Sequence, residues 1–509
     1  RDYYASRGLG DVYKRQVLQR THRKCFTLRL VSDTLILFLK KGLILLETHE
    51  ELDRGLKNRH VQLISIGGAI GTGLFLGAGK TIQLTGPSIL LSYTITGCII
   101  FLIMRALGEL MLSNLKYHSF LDFIADYLGN KAAFVTGWTY WFCWIAIAMA
   151  DLTATGMYVS YWLPDIPQWL PEIIALALLL GLNLVAVGLF GEMEFWFALI
   201  KVVAIIALII AGAFMIFTGF KTSAGSVRIS NLWQHGGFFP KGANGFMLSF
   251  QMATFAFCGV ELVGLIGGET SDPKSVLPKA INTIPLRIIL FYLGSLFMIM
   301  SIYPWSSLSA DQSPFVQVFS EIGVAAAASI VNLVVLSSAM SACNSAIYST
   351  SRMVRSLAQE GSAPSHFTKL TRNRVPGNAL VFSTLVIFLA VVMNFFVPSR
   401  IFTMISSIAT ICFLFIWGMI VFTHMRYRKT NSKLAKKNTF KLPLFPYTNY
   451  LVFLFLAFVL FVLALAEDTR EALIFSPLWF LALLGIYHVK FEKKKPIFNK
   501  IFHLFDSQK

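Results

Sequence analysis

Three ionisable side chains sit inside long apolar runs: Asp151, Lys201 and Glu261. A charge in hydrocarbon is costly, so such groups face a cavity or a protein interior and pair with something there. Two carboxylates and an amine can hold a charged solute or exchange a proton. They do not make a hydrolytic centre: the chain has no H-E-x-x-H and no G-x-S-x-G, and none of its nine histidines falls at mid-span. An enzyme is therefore not expected, nor is a histidine proton relay. Each candidate has a plainer rival. Lys201 lies in the cytoplasmic half of its run, where a lysine can snorkel to the interface. Asp151 can be a structural hydrogen-bond hub, and Glu261 a fixed structural carboxylate. Ser337, Ser338 and Asn344 can all serve as interhelical glue. Arg105 and Glu109, four residues apart, predict a structural or gating salt bridge.

These residues need elements that carry them across a membrane. The 509-residue chain is 56% hydrophobic and only 14% charged, too apolar for a soluble protein of that length. Runs of 18 or more apolar residues recur, each able to cross roughly 30 Å of hydrocarbon as a helix. From residue 60 the expected spans are 61–80, 87–112, 131–160, 170–189, 195–218, 243–266, 282–304, 325–351, 377–397, 400–424, 447–466 and 472–490. The fold class is thus an all-α integral membrane protein of about twelve helices.

The net charge of +18 does not point to nucleic acid, because the charge is distributed as an orientation signal. Loops after the second, sixth, eighth and tenth spans carry Lys116, Lys131, Lys274, Lys279, and two clusters (Arg352, Arg355, Lys369, Arg372, Arg374; Arg426, Arg428, Lys429, Lys433, Lys436, Lys437, Lys441). Loops after the third, seventh and eleventh carry Asp165, Asp311, Glu467 and Asp468 instead. Lys221, Arg228 and Lys241, after the fifth, are the exception. Both termini of this multi-pass protein are then expected in the cytoplasm. Cys25, Cys98, Cys143, Cys258, Cys343 and Cys412 share no C-x-x-C spacing, so neither a disulfide framework nor a metal site is expected.

Two spans are too rich in glycine to be continuous helices. The first holds Gly67, Gly68, Gly71, Gly73, Gly77 and Gly79; the sixth holds Gly259, Gly264, Gly267 and Gly268 around Glu261. Glycine weakens a helix, and freed backbone groups survive at membrane depth only where they line a cavity or meet a ligand. Close helix packing through small residues is the alternative. Both spans open a block of five, which favours a 5+5 inverted repeat with broken helices 1 and 6 and a site at mid-membrane.

Ile70-Gly71-Thr72-Gly73-Leu74-Phe75 and Phe255-Ala256-Phe257-Cys258-Gly259-Val260-Glu261 resemble the first- and sixth-helix motifs of amino-acid permeases in the amino acid–polyamine–organocation superfamily. The resemblance runs from about Leu52 to about residue 490, through Met104–Leu110, Gly191–Ala198 and Ser349–Met353. Thr136–Trp144, Pro304–Ser307 and Thr469–Trp479 bring it nearest the branch that carries D-serine, D-alanine and glycine. It implies alternating access driven by a proton gradient, with an amino acid and a proton as partners, membrane lipid around the chain, and no cofactor. It also implies roles. Amides of Thr72 and Gly73, after Gly71, would hold the substrate carboxylate. Carbonyls near Ala69, Phe255 and Cys258, beside Gly259, would take its ammonium, with Phe255 closing as a gate unless it is mere core packing. Asp151, where relatives often carry Glu, would bear on selectivity. Lys201 matches a lysine standing where sodium-coupled relatives bind an ion, so Lys201 and Glu261 are the proton-coupling candidates. The same fold carrying an aromatic, branched or γ-amino acid is the near alternative. An amino-acid sensor without transport is the far one, and the tail after residue 490 is too short for the soluble domain a sensor would append.

The expected organisation is a ten-helix core over 61–424, two further helices over 447–490, a cytoplasmic segment over 47–60 and a cytoplasmic tail over 491–509. Residues 1–46 are set aside as an artefact or as disordered. No methionine precedes Met104, and the codons GAT GTG TAT AAG AGA CAG for Asp11–Gln16 spell the end of a transposon-derived sequencing adapter. The apolar stretch Thr34–Leu39 is too short to span and has no signal-peptide cleavage site behind it.

Overall fold

The computed structural model describes residues 70–492, apart from 118, 186, 223–224, 263–272, 310–311, 322–324 and 397. Expectations for 1–69, Ala69 included, for Gly264, Gly267 and Gly268, and for 493–509 lie outside the described residues. Where hydrocarbon is the solvent, backbone groups must bond within their own segment, and the apolar runs are accordingly helical. The main helices are α1 Thr72–Phe75, α2 Gly77–Thr85, α3 Ile89–Ser113, α4 Phe120–Leu128, α5 Asn130–Val159, α6 Trp169–Val185, α7 Val187–Thr218, α8 Gly242–Phe255, α9 Pro273–Asn282, α10 Ser295–Ile302, α11 Ala325–Gln359, α12 Gly377–Phe396, α13 Pro398–Thr430, α14 Tyr447–Leu465 and α15 Glu467–Tyr487. Among the described residues, strand is confined to the hairpin Lys221–Thr222 with Gly225–Ser226.

Nine described helical stretches are long and apolar enough to cross a membrane, and they fall on the second, third, fifth and seventh to twelfth expected spans. The fourth is the shorter apolar helix Trp169–Leu184. The sixth, expected over 243–266, has regular helix up to Phe255 and then turns over 256–261. The boundary between the first two spans lies later than expected, at Gly86-Pro87. Gly86 takes a positive φ of 64°, and a Cβ there would stand 2.4 Å from Pro240 Cγ.

The seventh expected span is segmented. α9 gives way to a turn Ile284–Arg287, a π-helical stretch Ile288–Gly294 and then α10. Pro285 opens the second piece, and a proline has no N–H to donate to the preceding turn. Ahead of α5, Ser119 caps α4 in a reciprocal box with Asp122, satisfying amides that the helix start leaves open.

α5 is the central helix: 83% of its apolar window is buried, against 11% for α15 at the periphery. α5 packs along α11 and α13. The exposed face of α15, with Phe475, Leu478 and Leu481, suits lipid.

Arg105 and Glu109 do not form the expected ion pair. Glu109 Oε2 instead accepts from Arg428 Nη2 at 2.7 Å and the Leu442 amide at 2.7 Å, with His424 Nε2 at 3.0 Å. The reason is geometric: His424 and Arg428, one turn apart on α13, both face the carboxylate. Arg105 lies over the Phe440 ring at 3.8 Å and donates to Asn282 Oδ1 at 3.2 Å.

Candidate functional site

Four segments converge on one cavity. At Gly71 the backbone is extended (φ −129°, ψ −162°), and α1 starts at the next residue. The first ladder bonds run from Leu74 and Phe75 back to the Gly71 carbonyl, so the amides of Thr72 and Gly73 come before the local ladder begins, at the positive end of a helix. The second segment starts where α8 ends. After Phe255 the chain runs in three-residue turns, Phe257 N to Thr254 O at 3.1 Å and Cys258 N to Phe255 O at 3.0 Å, and Gly259 takes a φ of 94°. No other residue type holds that φ without strain.

These two segments touch backbone to backbone. A Cβ on Gly73 would lie 2.6 Å from Ala256 Cα, so only hydrogen fits there. α5 supplies Trp144, Ile147 and Asp151, one helical face at intervals of three and four. α11 supplies Ala342 and Ser345. The cavity they enclose with Gly71, Thr72, Gly73, Phe255 and Cys258 measures about 30 Å³. A single water needs about 10–15 Å³ on the same measure, so the space suits a small solute.

Asp151 is buried in the cavity wall, and its Oδ1 accepts from Thr72 Oγ1 at 2.7 Å. That bond ties the central helix to the first residue of α1. Asp151 Oδ2 has no hydrogen-bond partner among the described residues. Phe255 packs edge-on to Phe402 of α13, with ring centres 6.1 Å apart. The Phe255 carbonyl already accepts the Cys258 amide, leaving it one lone pair. Cys258 Sγ turns back to the Thr254 carbonyl at 3.6 Å.

Of the expected site residues, Gly71, Thr72, Gly73, Asp151, Phe255 and Cys258 are brought together at the cavity, with Gly259 next in the chain. Lys201 is fully buried in α7 rather than snorkelled. The carboxylates whose charges act on it are Glu194 and Asp151. Glu261 is also fully buried but is not among the cavity-lining residues, accepting from Tyr140 Oη and Trp417 Nε1, each at 3.3 Å. Ser338 donates to the Ile70 carbonyl at 3.4 Å, and Asn344 Oδ1 accepts from Asn183 at 2.7 Å, so both bond across helices; Ser337 bonds within its own helix.

Residue reading missed Glu194. It lay within the Gly191–Ala198 stretch, near the start of an apolar run, where a glutamate reads as an interfacial charge. It is in fact fully buried, and Ser341 Oγ of α11 donates to its Oε1 at 2.6 Å. Its sequence signal was the spacing of seven to Lys201, two helical turns on one face.

A family model described as amino acid permease matches residues 60–500. The chain is 63% identical over 444 residues to the uncharacterized transporter YdgF of Bacillus subtilis, covering 87% of this chain and 97% of that one. It is 60% identical over 441 residues to amino-acid permease AapA of the same organism, covering 87% and 96%. To the D-serine/D-alanine/glycine transporter of Escherichia coli K12 it is 50% identical over 437 residues, covering 85% and 93%.

Proposed function

The chain belongs to the amino acid permease family, and on that premise we propose that it imports small neutral amino acids (D-serine, D-alanine and glycine) together with protons. The observation that carries the reading is the cavity itself. It has helix-start amides at Thr72 and Gly73 for a carboxylate, an acid at Asp151 and carbonyls around Phe255 for an ammonium, and little room beyond. A zwitterion placed in a dry site needs opposite partial charges at its two ends. The 50% identity to a D-serine/D-alanine/glycine transporter supports the substrate class.

In this reading the chain crosses a bacterial plasma membrane about twelve times, with the basic loops on the cytoplasmic side. The segments at Gly71 and Phe255–Glu261 are the breaks of helices 1 and 6 in a 5+5 inverted repeat. Phe255 gates the cavity, and rocking of α1 and α8 against α5 and α11 alternates its access. Lys201 couples transport to protons by gaining and losing its charge, and Glu261 supports the turn after Gly259.

Competition decides the substrate class. Uptake of labelled glycine by residues 47–509 behind a start methionine is to be challenged with excess D-serine, D-alanine, leucine and phenylalanine. Suppression by the two small D-amino acids and not by the bulky ones is expected. Suppression by phenylalanine or leucine in preference would replace this substrate class by the bulkier one.

A further inference from the structure

The mechanism above leaves Lys201 with a single role and Glu194 with none, yet both are fully buried in one helix. Seven residues separate them, so they lie two turns apart on the same face of α7. Glu194 and Asp151 are the carboxylates that act on Lys201. Asp151 belongs to the cavity wall; Glu194 does not, lying beyond the wall against α11 through Ser341. Ser345, one turn after Ser341 on that helix, does line the cavity.

An ammonium in a low-dielectric interior requires a counter-charge. Asp151 is the only carboxylate among the described cavity residues, so a substrate ammonium that enters draws on a charge that also acts on Lys201. We propose that Glu194 is a positioning residue for coupling: it is the alternate counter-ion that keeps Lys201 an ammonium while the substrate occupies Asp151. This rests on the transport reading and deepens it. Ser341 holds the Glu194 carboxylate in place, so the exchange of partners falls to the flexible stem of Lys201. Among the described residues, the polar and titratable groups facing the two carboxylates are Thr72, Tyr158 and Cys343 around Asp151, and Ser341, Asn344 and Ser345 around Glu194. None of these is a second cation.

The test uses the purified full chain in vesicles and two assays. One is glycine accumulation driven by an imposed inward proton gradient; the other is exchange between glycine-loaded vesicles and labelled glycine without a gradient. Glu194→Gln is expected to keep exchange within about twofold of the parent while accumulation falls to the level seen with the gradient collapsed. Its pH profile of uptake flattens. Glu194→Asp restores part of the accumulation, and Ser341→Ala gives an intermediate pH profile even if Glu194→Gln does not fold. Glu194→Gln accumulating glycine with the parent pH profile would overturn the inference. Equal loss of exchange and accumulation, unrelieved in Glu194→Asp, would reduce Glu194 to a structural group and overturn it as well. Lys201→Ala separates the levels. If that variant still accumulates glycine, the coupling reading itself falls; if only Lys201→Ala fails to accumulate and Glu194→Gln succeeds, the Glu194 inference falls alone.

Discussion

At the scale of single residues, the cavity depends on hydrogen where any Cβ would collide. Gly73 meets the Ala256 backbone, and backbone cannot swing aside as a flexible side chain can. Gly71 meets only Ala342 Cβ, at an ordinary 3.9 Å. Forced overpacking costs about 1–3 kcal/mol. Gly73→Ala is therefore expected to lower the thermal unfolding temperature in detergent and Gly71→Ala to leave it nearly unchanged; equal shifts would mean that the close approach does not exist. The Thr72–Asp151 bond makes a second claim. Thr72→Val leaves a buried carboxylate short of its donor, a loss of about 1–3 kcal/mol. The variant should unfold earlier and take up less glycine, whereas Thr72→Ser, which keeps the hydroxyl, should behave like the parent. Cys258 makes a third. It lines the cavity, while Cys143, Cys343 and Cys412 are buried and are not among the lining residues. In a Cys98→Ala background, methyl methanethiosulfonate should inactivate uptake, and glycine should slow that inactivation. Protection by phenylalanine alone would point to a different occupant.

At the scale of elements, the C-terminal ends of α3 and α13 are joined through Glu109, with α14 added by Asn449 Nδ2, 3.1 Å from His424 Nδ1. Removing one partner of a buried ion pair leaves the other uncompensated, at about 3–5 kcal/mol. Glu109→Ala is expected to destabilise strongly in a detergent thermal-unfolding assay. Arg105→Ala, losing a ring contact and two partly exposed hydrogen bonds, to Asn282 Oδ1 and the Lys441 carbonyl, should have a smaller effect; the reverse order would restore the i,i+4 pair that spacing alone suggested. Spacing named Glu109's neighbour in the helix and could not see His424 and Arg428, more than 300 positions away. The same limit hid Tyr140 and Trp417, which reach Glu261 from α5 and α13. The apolar runs themselves were legible, because crossing hydrocarbon leaves one secondary structure open to them. Boundaries set by proline and glycine, such as Gly86-Pro87 and Pro285, were read less well, since a turn inside a long apolar run leaves the composition unchanged.

At the scale of the whole molecule, membrane residence and family were legible from hydropathy and from the two glycine motifs, and the meeting of those motifs at one cavity is what the folded chain adds. Asp151 and Thr72 are far apart in sequence, and nothing in either segment alone specifies their bond. Glu194 stayed hidden for the opposite reason: its segment was noticed, but its burial follows from how α7 packs on α11. The account as a whole claims that the cavity moves a small amino acid at the expense of a proton gradient. The most direct measurement is accumulation of labelled glycine and D-alanine by the chain in a strain lacking its own uptake, with and without a protonophore. The account predicts accumulation that collapses when the protonophore is added. Uptake of both substrates that proceeds unchanged without the gradient would contradict it, and would make the chain an exchanger or a facilitator with no coupling role for Lys201.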